Sequence, residues 1–214
     1  MTSPTSGRAR QAARNDVTIL AAAKEVFLAD KRAPVAAVAD RAGVGISALY
    51  RRYAGKEDLL RKLCHDGLRT FIDQAEQASA AADDWAAFET FVHGVVDADV
   101  HSLTVHLAGT FTPTDEMSAD AVRADELASA LFERARPQMR PEAVPADLTM
   151  LLEMCAAVRV PDPVRTTSLR RRYLAMLLDG LRAGAALPGP APTWLEINWR
   201  WLPRPDDPAV NSRE

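Results

Sequence analysis

The segment Val35 to Leu60 reads VAAVADRAGVGISALYRRYAGKEDLL, and glycine divides it into three helical pieces. Pro34 suits the first turn of a helix in which Val35, Val38, Ala39 and Ala42 share one face, and Gly43 ends that helix. A tight Gly43-Val44-Gly45 turn leads into a second helix with Ile46, Leu49, Tyr50 and Tyr53 on its apolar side. Ala54-Gly55 stops it, and Lys56-Glu57-Asp58-Leu59-Leu60 opens a long helix carrying Leu63, Leu68, Phe71 and Ile72. Upstream, Asn15 and Asp16 can cap a further amphipathic helix, about Asp16 to Ala29, whose Ile19, Leu20, Ala23, Val26 and Phe27 recur at helical spacing. Small residues at Ala39, Ala42 and Gly43 let the two short helices approach closely. Val38, Val44 and Leu49 can fill the space between them and the upstream helix, which leaves the other faces of Ile46 to Arg52 pointing outward.

The charge distribution bears on what meets that outward face. The 214 residues carry a formal net charge of −3. Met1 to Lys62 holds 12 Lys and Arg against 6 Asp and Glu, and the remainder holds 14 against 23. A basic N-terminal part on an acidic body suggests an element that meets phosphate, attached to one that does not. Two short helices joined by a glycine-containing turn in such a segment match a helix-turn-helix, which lays its second helix in the major groove of DNA.

Composition bounds the rest. With 48% apolar residues the chain can bury one sizeable core or two small ones. The longest run free of Asp, Glu, Lys and Arg, Val100 to Thr114, is interrupted by His, Thr and Ser, so no membrane span is expected. The start, MTSPTSGRARQAAR, lacks the apolar stretch of a secretory signal, and a cytoplasmic location is expected. Cys64 and Cys155 stand far apart in apolar helical contexts and read as core residues rather than a metal knuckle or a disulfide.

The Ala42-Gly43-Val44 turn, Leu49-Tyr50, the aromatic Tyr53, and Lys56-Glu57 followed by Leu59-Leu60 fall in the order and spacing of the TetR family of transcriptional regulators, which the segment resembles. The resemblance covers about Asp16 to Leu63. It implies an all-α protein: a disordered basic arm at 1–13, a three-helix helix-turn-helix domain at 14–62, a larger helical effector-binding and dimerisation domain at 63–184, and a C-terminal tail at 185–214. It further implies that Tyr50 and Lys56 contact phosphate and that Gly45, Ile46, Ser47, Ala48 and Arg51 meet base edges. Arg51 among these can make a bidentate contact to guanine. Arg52 is expected at phosphate, and Arg8, Arg10 and Arg14 at the backbone or a minor groove. Ala48 stands where the family commonly has Thr, which removes a hydroxyl contact, and Ala54-Gly55 replaces a usual Pro-Ser or Pro-Thr, which removes a helix cap.

Downstream, helices are expected at about Trp85 to Leu107, Ala119 to Arg136, Ala146 to Val158 and Thr166 to Ala183. On a wheel of ~100° per residue, Phe88, Val92, Val95, Val96, Val100, Leu103 and Leu107 make one apolar arc that also contains Asp99 and His106. A polar group there needs a partner. The expected effector pocket is therefore Phe88, Val92, Asp99, Leu103 and His106, the alternative being internal hydrogen bonds for the two polar residues. His93, Asp97 and His101 line the other side, but eight residues of helix span about 12 Å, so the three cannot share one ion, and no metal is expected. The last two long helices carry the dimer face that the resemblance implies, expected at Leu151, Met154, Leu169, Tyr173, Met176, Leu177 and Gly180. The proline-rich tail carries Trp194, Trp199 and Trp201, and part of it is expected to pack back on the helices.

No dinucleotide loop, nucleophile elbow, HExxH or Walker sequence is present, so neither catalysis nor a cofactor is expected. The partners expected are a double-stranded operator with an inverted repeat, a second copy of the chain, and an unknown small-molecule effector. A body that serves only dimerisation or a protein partner, with no effector, is the open alternative.

Overall fold

The structure is a computed structural model that describes residues 4–107 and 109–198, and the described residues contain helices and no strand. In chain order the helices are α1 (Pro4–Ala29), α2 (Val35–Ala42), α3 (Ile46–Tyr50), α4 (Lys56–Ser79), α5 (Asp84–Asp97), α6 (Val100–Leu107), α7 (Asp115–Ala135), α8 (Pro145–Ala157), α9 (Pro163–Arg182) and α10 (Trp194–Asn198). Helix starts follow capping chemistry. Asp83, Thr114 and Asp162 each accept a backbone N–H with the side chain, and Pro145 and Pro163 occupy first-turn positions where no N–H is needed. Gly43 closes α2 at φ 65°, a left-handed conformation that glycine adopts without penalty.

Three expectations change. Helix α1 begins at Pro4, so residues 4–13, expected as a disordered arm, are helical, and Asn15 and Asp16 lie inside the helix rather than capping it. The side chains of Arg8, Arg10 and Arg14 fall outside the described residues. The helix expected from Trp85 to Leu107 is two helices, because Asp99 takes φ 53° and breaks the run between α5 and α6.

Two apolar clusters form the core. The first gathers Ile19, Phe27, Val38, Leu49, Tyr53, Leu59 and Leu60 from α1 to α4 and continues into Leu103, Leu107, Phe111 and Met117 of the body. The second packs Phe88, Phe91 and Val92 of α5 against Leu131 and Phe132 of α7, Leu151 of α8, and Leu174 and Leu178 of α9. Cys64 and Cys155 are buried free thiols within these clusters. Each fully buried Val, Leu, Ile or Phe of these clusters contributes about 1.5–3 kcal/mol. Helix α4 runs unbroken through the expected domain boundary at 62/63 and joins the two clusters. No described helix is long and apolar enough to cross a membrane.

Candidate nucleic-acid interface and body cavity

Helix α3 is anchored by one side chain and presents the rest. Leu49 is fully buried, while Ile46 is 40% and Tyr50 52% exposed. Gly45, Ser47 and Arg51 are exposed too, and Ala48 is half-buried. The expected base-reading residues therefore form one outward patch.

The two other expected phosphate contacts, Arg52 and Lys56, are engaged within the fold. Arg52 makes a bidentate pair with Asp16 of α1, at 2.7 and 2.6 Å, and the Tyr53 hydroxyl donates to the same carboxylate at 2.8 Å. The Arg52 hydrogen bond draws the Asp16 carboxyl below its ordinary pKa, and burial followed by the bond to Asp16 raises that of Tyr53. Lys56 donates to the Ala33 carbonyl at 2.8 Å and lies 5.2 Å from the Phe27 ring centre. Lys56 is turned toward α1 because the start of α4 lies against α1 and the turn before α2, whereas Arg52 stays partly in solvent while it reaches Asp16. Tyr50 keeps its exposed position.

The body contains a cavity of about 360 Å³ between α4, α6, α7 and α8, with Ile197 of α10 at its wall. Leu68, Phe71, Val100, Leu148 and Leu152 supply apolar lining, His101, Ser129 and Thr149 supply polar groups, and Asp125 is its charged residue. None of the five residues expected to form the pocket lines this cavity. Phe88 and Val92 are fully buried in the solid core, and Leu103 packs against Gly67, where an added Cβ would meet it at 3.4 Å. The His106 ring bonds the Ser102 carbonyl at 2.8 Å. Phe88 and Val92 precede the break and face the core, while for Leu103 and His106 a wheel drawn through a single helix loses the orientation of α6 beyond Asp99. Of the tail, α10 lies against α8 and places Ile197 at the cavity wall, Trp194 is 63% exposed, and Trp199 and Trp201 lie outside the described residues.

Asp99 finds its partners inside the protein. Its carboxylate bonds the Ser102 hydroxyl and the Arg170 guanidinium and lies 3.4 Å from Lys24 of α1. Burial opposes ionisation of Asp99, but the Ser102 hydrogen bond and the charges of Lys24 and Arg170 outweigh it and hold the carboxyl below the usual range. A smaller cavity adjoins this cluster and shares His101 and Leu152 with the larger one. Sequence reasoning missed Arg170, which is 5% exposed, because it sits in the run Arg170-Arg171-Arg172 with nothing local to mark one arginine as buried. Asp97 is taken by Arg171 at 2.7 and 2.9 Å, and no described group of three His, Cys, Asp or Glu could hold a metal.

On the outside of α8 and α9, Met154 is 51%, Tyr173 44% and Met176 62% exposed. Gly180 is open, with Leu169 and Leu177 half-buried beside them. Leu151 departs from the expected dimer face: it is buried in the body core.

Comparison with known proteins bears on both parts. Residues 19–63 match the family model described as bacterial regulatory proteins, tetR family. No curated protein sequence matches the chain. Among solved structures, the TetR family transcriptional regulator PfmR from Thermus thermophilus is 21% identical with a TM-score of 0.61, over 77% of this chain and 99% of that one. The TetR-like regulator LfrR from Mycobacterium smegmatis, solved with proflavine, is 24% identical with a TM-score of 0.56, over 76% and 95%. The fatty acid degradation regulator FadR from Bacillus halodurans is 21% identical with a TM-score of 0.54, over 77% and 98%. The match to the family model is confined to residues 19–63, and the likeness to these solved structures is one of fold.

Proposed function

We propose that the protein is a transcriptional regulator that binds an inverted-repeat operator as a homodimer, represses from it, and is released by a small effector held in the body cavity. The observation that carries the reading is α3: one buried anchor, Leu49, holds a five-residue helix whose Ile46, Ser47, Tyr50 and Arg51 face solvent beside a turn matching the family model. A reading helix needs that division between a fixed base and a free face. Tyr50 takes phosphate and Arg51 a guanine edge. Arg52 and Lys56 serve the reading head by bracing it.

Exposed Met154, Tyr173 and Met176 with the open Gly180 support pairing of α8 and α9 with those of a second copy. The cavity falls within the ~300–1,000 Å³ of small-molecule sites, which favours an effector over a body that only dimerises. Its apolar lining, with Asp125 and without Lys or Arg, suits a neutral or cationic apolar molecule rather than an anion. Such a regulator works where the chromosome lies, in the cytoplasm. Selection of bound duplexes from a random DNA pool tests the reading. An enriched inverted repeat supports it, and a folded protein that enriches nothing overturns it.

A further inference from the structure

Two polar links join the C-terminal half of α1 to the body, and both converge on one buried guanidinium. Lys24 donates to the Asp99 carbonyl at 3.2 Å and the Ala98 carbonyl at 3.4 Å, and faces the Asp99 carboxylate. Its charge thus meets the negative end of α5, where carbonyls lack helical partners. One turn further along the same face, the Leu28 carbonyl accepts from Arg159 at 3.1 Å. Arg159 stands in the turn between α8 and α9, and Arg170 fixes that turn by donating to the Val158 carbonyl at 3.0 Å and the Ala156 carbonyl at 3.2 Å. Arg170 also bonds Asp99 directly and the Ser102 hydroxyl at 3.1 Å. One side chain therefore holds in place both the group that meets Lys24 and the turn that meets Leu28.

We propose that Lys24, Asp99 and Arg170 are positioning residues for the reading head: together they fix the tilt of α1 against the body and so set the spacing between the two α3 helices of a dimer. This rests on the DNA-reading dimer proposed above. Lys24 keeps about a third of its side chain in solvent, 30%, so its removal leaves the apolar core intact. Arg170 is nearly sealed, so replacing it tests folding as much as position.

The experiment compares the full-length wild type with Lys24→Met and Lys24→Arg. Each is titrated by fluorescence anisotropy against the selected operator and against duplexes with about one base pair added or removed between the half-sites. The wild type is expected to prefer the selected spacing by about tenfold or more, Lys24→Met by about threefold or less, and Lys24→Arg to recover most of the preference. A role in folding alone would weaken binding to all spacings alike. A Lys24→Met protein with the wild-type ratio, a uniform loss across spacings, or a wild type indifferent to spacing would each overturn the assignment. If the wild type selects no inverted repeat at all, the dimer reading fails, and the positioning role falls with it.

Discussion

Replacing Asp16 with alanine removes one carboxylate that accepts from two side chains of very different exposure, and the difference sets the size of the effect. The Arg52 guanidinium is partly in solvent, at 31% side-chain exposure, so water replaces much of what it loses and the pair is worth about 0–1 kcal/mol. The Tyr53 hydroxyl belongs to a residue only 5% exposed. Left without an acceptor it costs about 1–3 kcal/mol. Asp16→Ala should therefore destabilise the protein by about 1–4 kcal/mol, a fall in Tm of about 2–4 °C for each kcal/mol in a chain of this size. Asp16→Asn should cost about 1 kcal/mol or less, since the amide oxygen still accepts from Tyr53. In a Tyr53→Phe background the hydroxyl is absent, and Asp16→Ala should then cost only the exposed pair. Urea denaturation of wild type, both single variants and the double variant, followed by far-ultraviolet circular dichroism, gives the coupling directly. If Asp16→Ala costs as much in the Tyr53→Phe background as in the wild type, the shared carboxylate is not what joins α1 to the end of the reading helix.

Arg51→Ala should lower operator affinity by about 1–3 kcal/mol and relax base preference at one position of each half-site, whereas Tyr50→Phe should weaken all sequences alike; repeating the selection with each variant checks both. Tyr173→Glu combined with Met176→Glu should convert the dimer to a monomer by sedimentation while leaving the helical spectrum unchanged, because both residues are exposed on α9. Acid titration should expose Asp16 and Asp99, two of the carboxyls whose pKa is lowered in the fold. Asp16 and Asp99 contribute stability that is complete above the ordinary carboxylate value of about 4 and is lost as pH falls through their lower folded values, so Asp99→Asn should flatten the acid limb of a stability-against-pH curve.

The helix-turn-helix geometry was legible because its signals are local. Gly43 announces a left-handed stop, the spacing of Val38, Ala39 and Leu49 announces a packed corner, and the turn residues separate α2, α3 and α4 nearly where the structure does. The body was less legible because its decisive feature is tertiary. No proline stands between Trp85 and Leu107 to break a helix, yet Asp99 leaves the helical region where Lys24 and Arg170 converge from distant parts of the chain. With the phase of α6 lost, Val100 and His101 could not be assigned to the cavity that they line. The intramolecular partners of Arg52 and Lys56 were illegible for a different reason. A basic residue beside a reading helix looks the same in sequence whether it faces phosphate or a neighbouring carboxylate, and only Asp16, a distant position on α1, decides for Arg52.

The break at Asp99 places two demands on one position that few residues meet together. Backbone at φ 53° favours glycine and tolerates asparagine or aspartate. The Lys24 ammonium and the Arg170 guanidinium require a negative charge. Glycine would ease the backbone and leave a buried cation without its counter-charge, asparagine would keep the geometry without the charge, and glutamate would keep the charge with a poorer fit to the turn. Substitution here is therefore coupled: in sequences that share this break, an aspartate at position 99 should travel with basic residues at 24 and 170, and its replacement by glycine should coincide with loss of the arginine. The three positions form a covariation signature that can be sought in sequences alone.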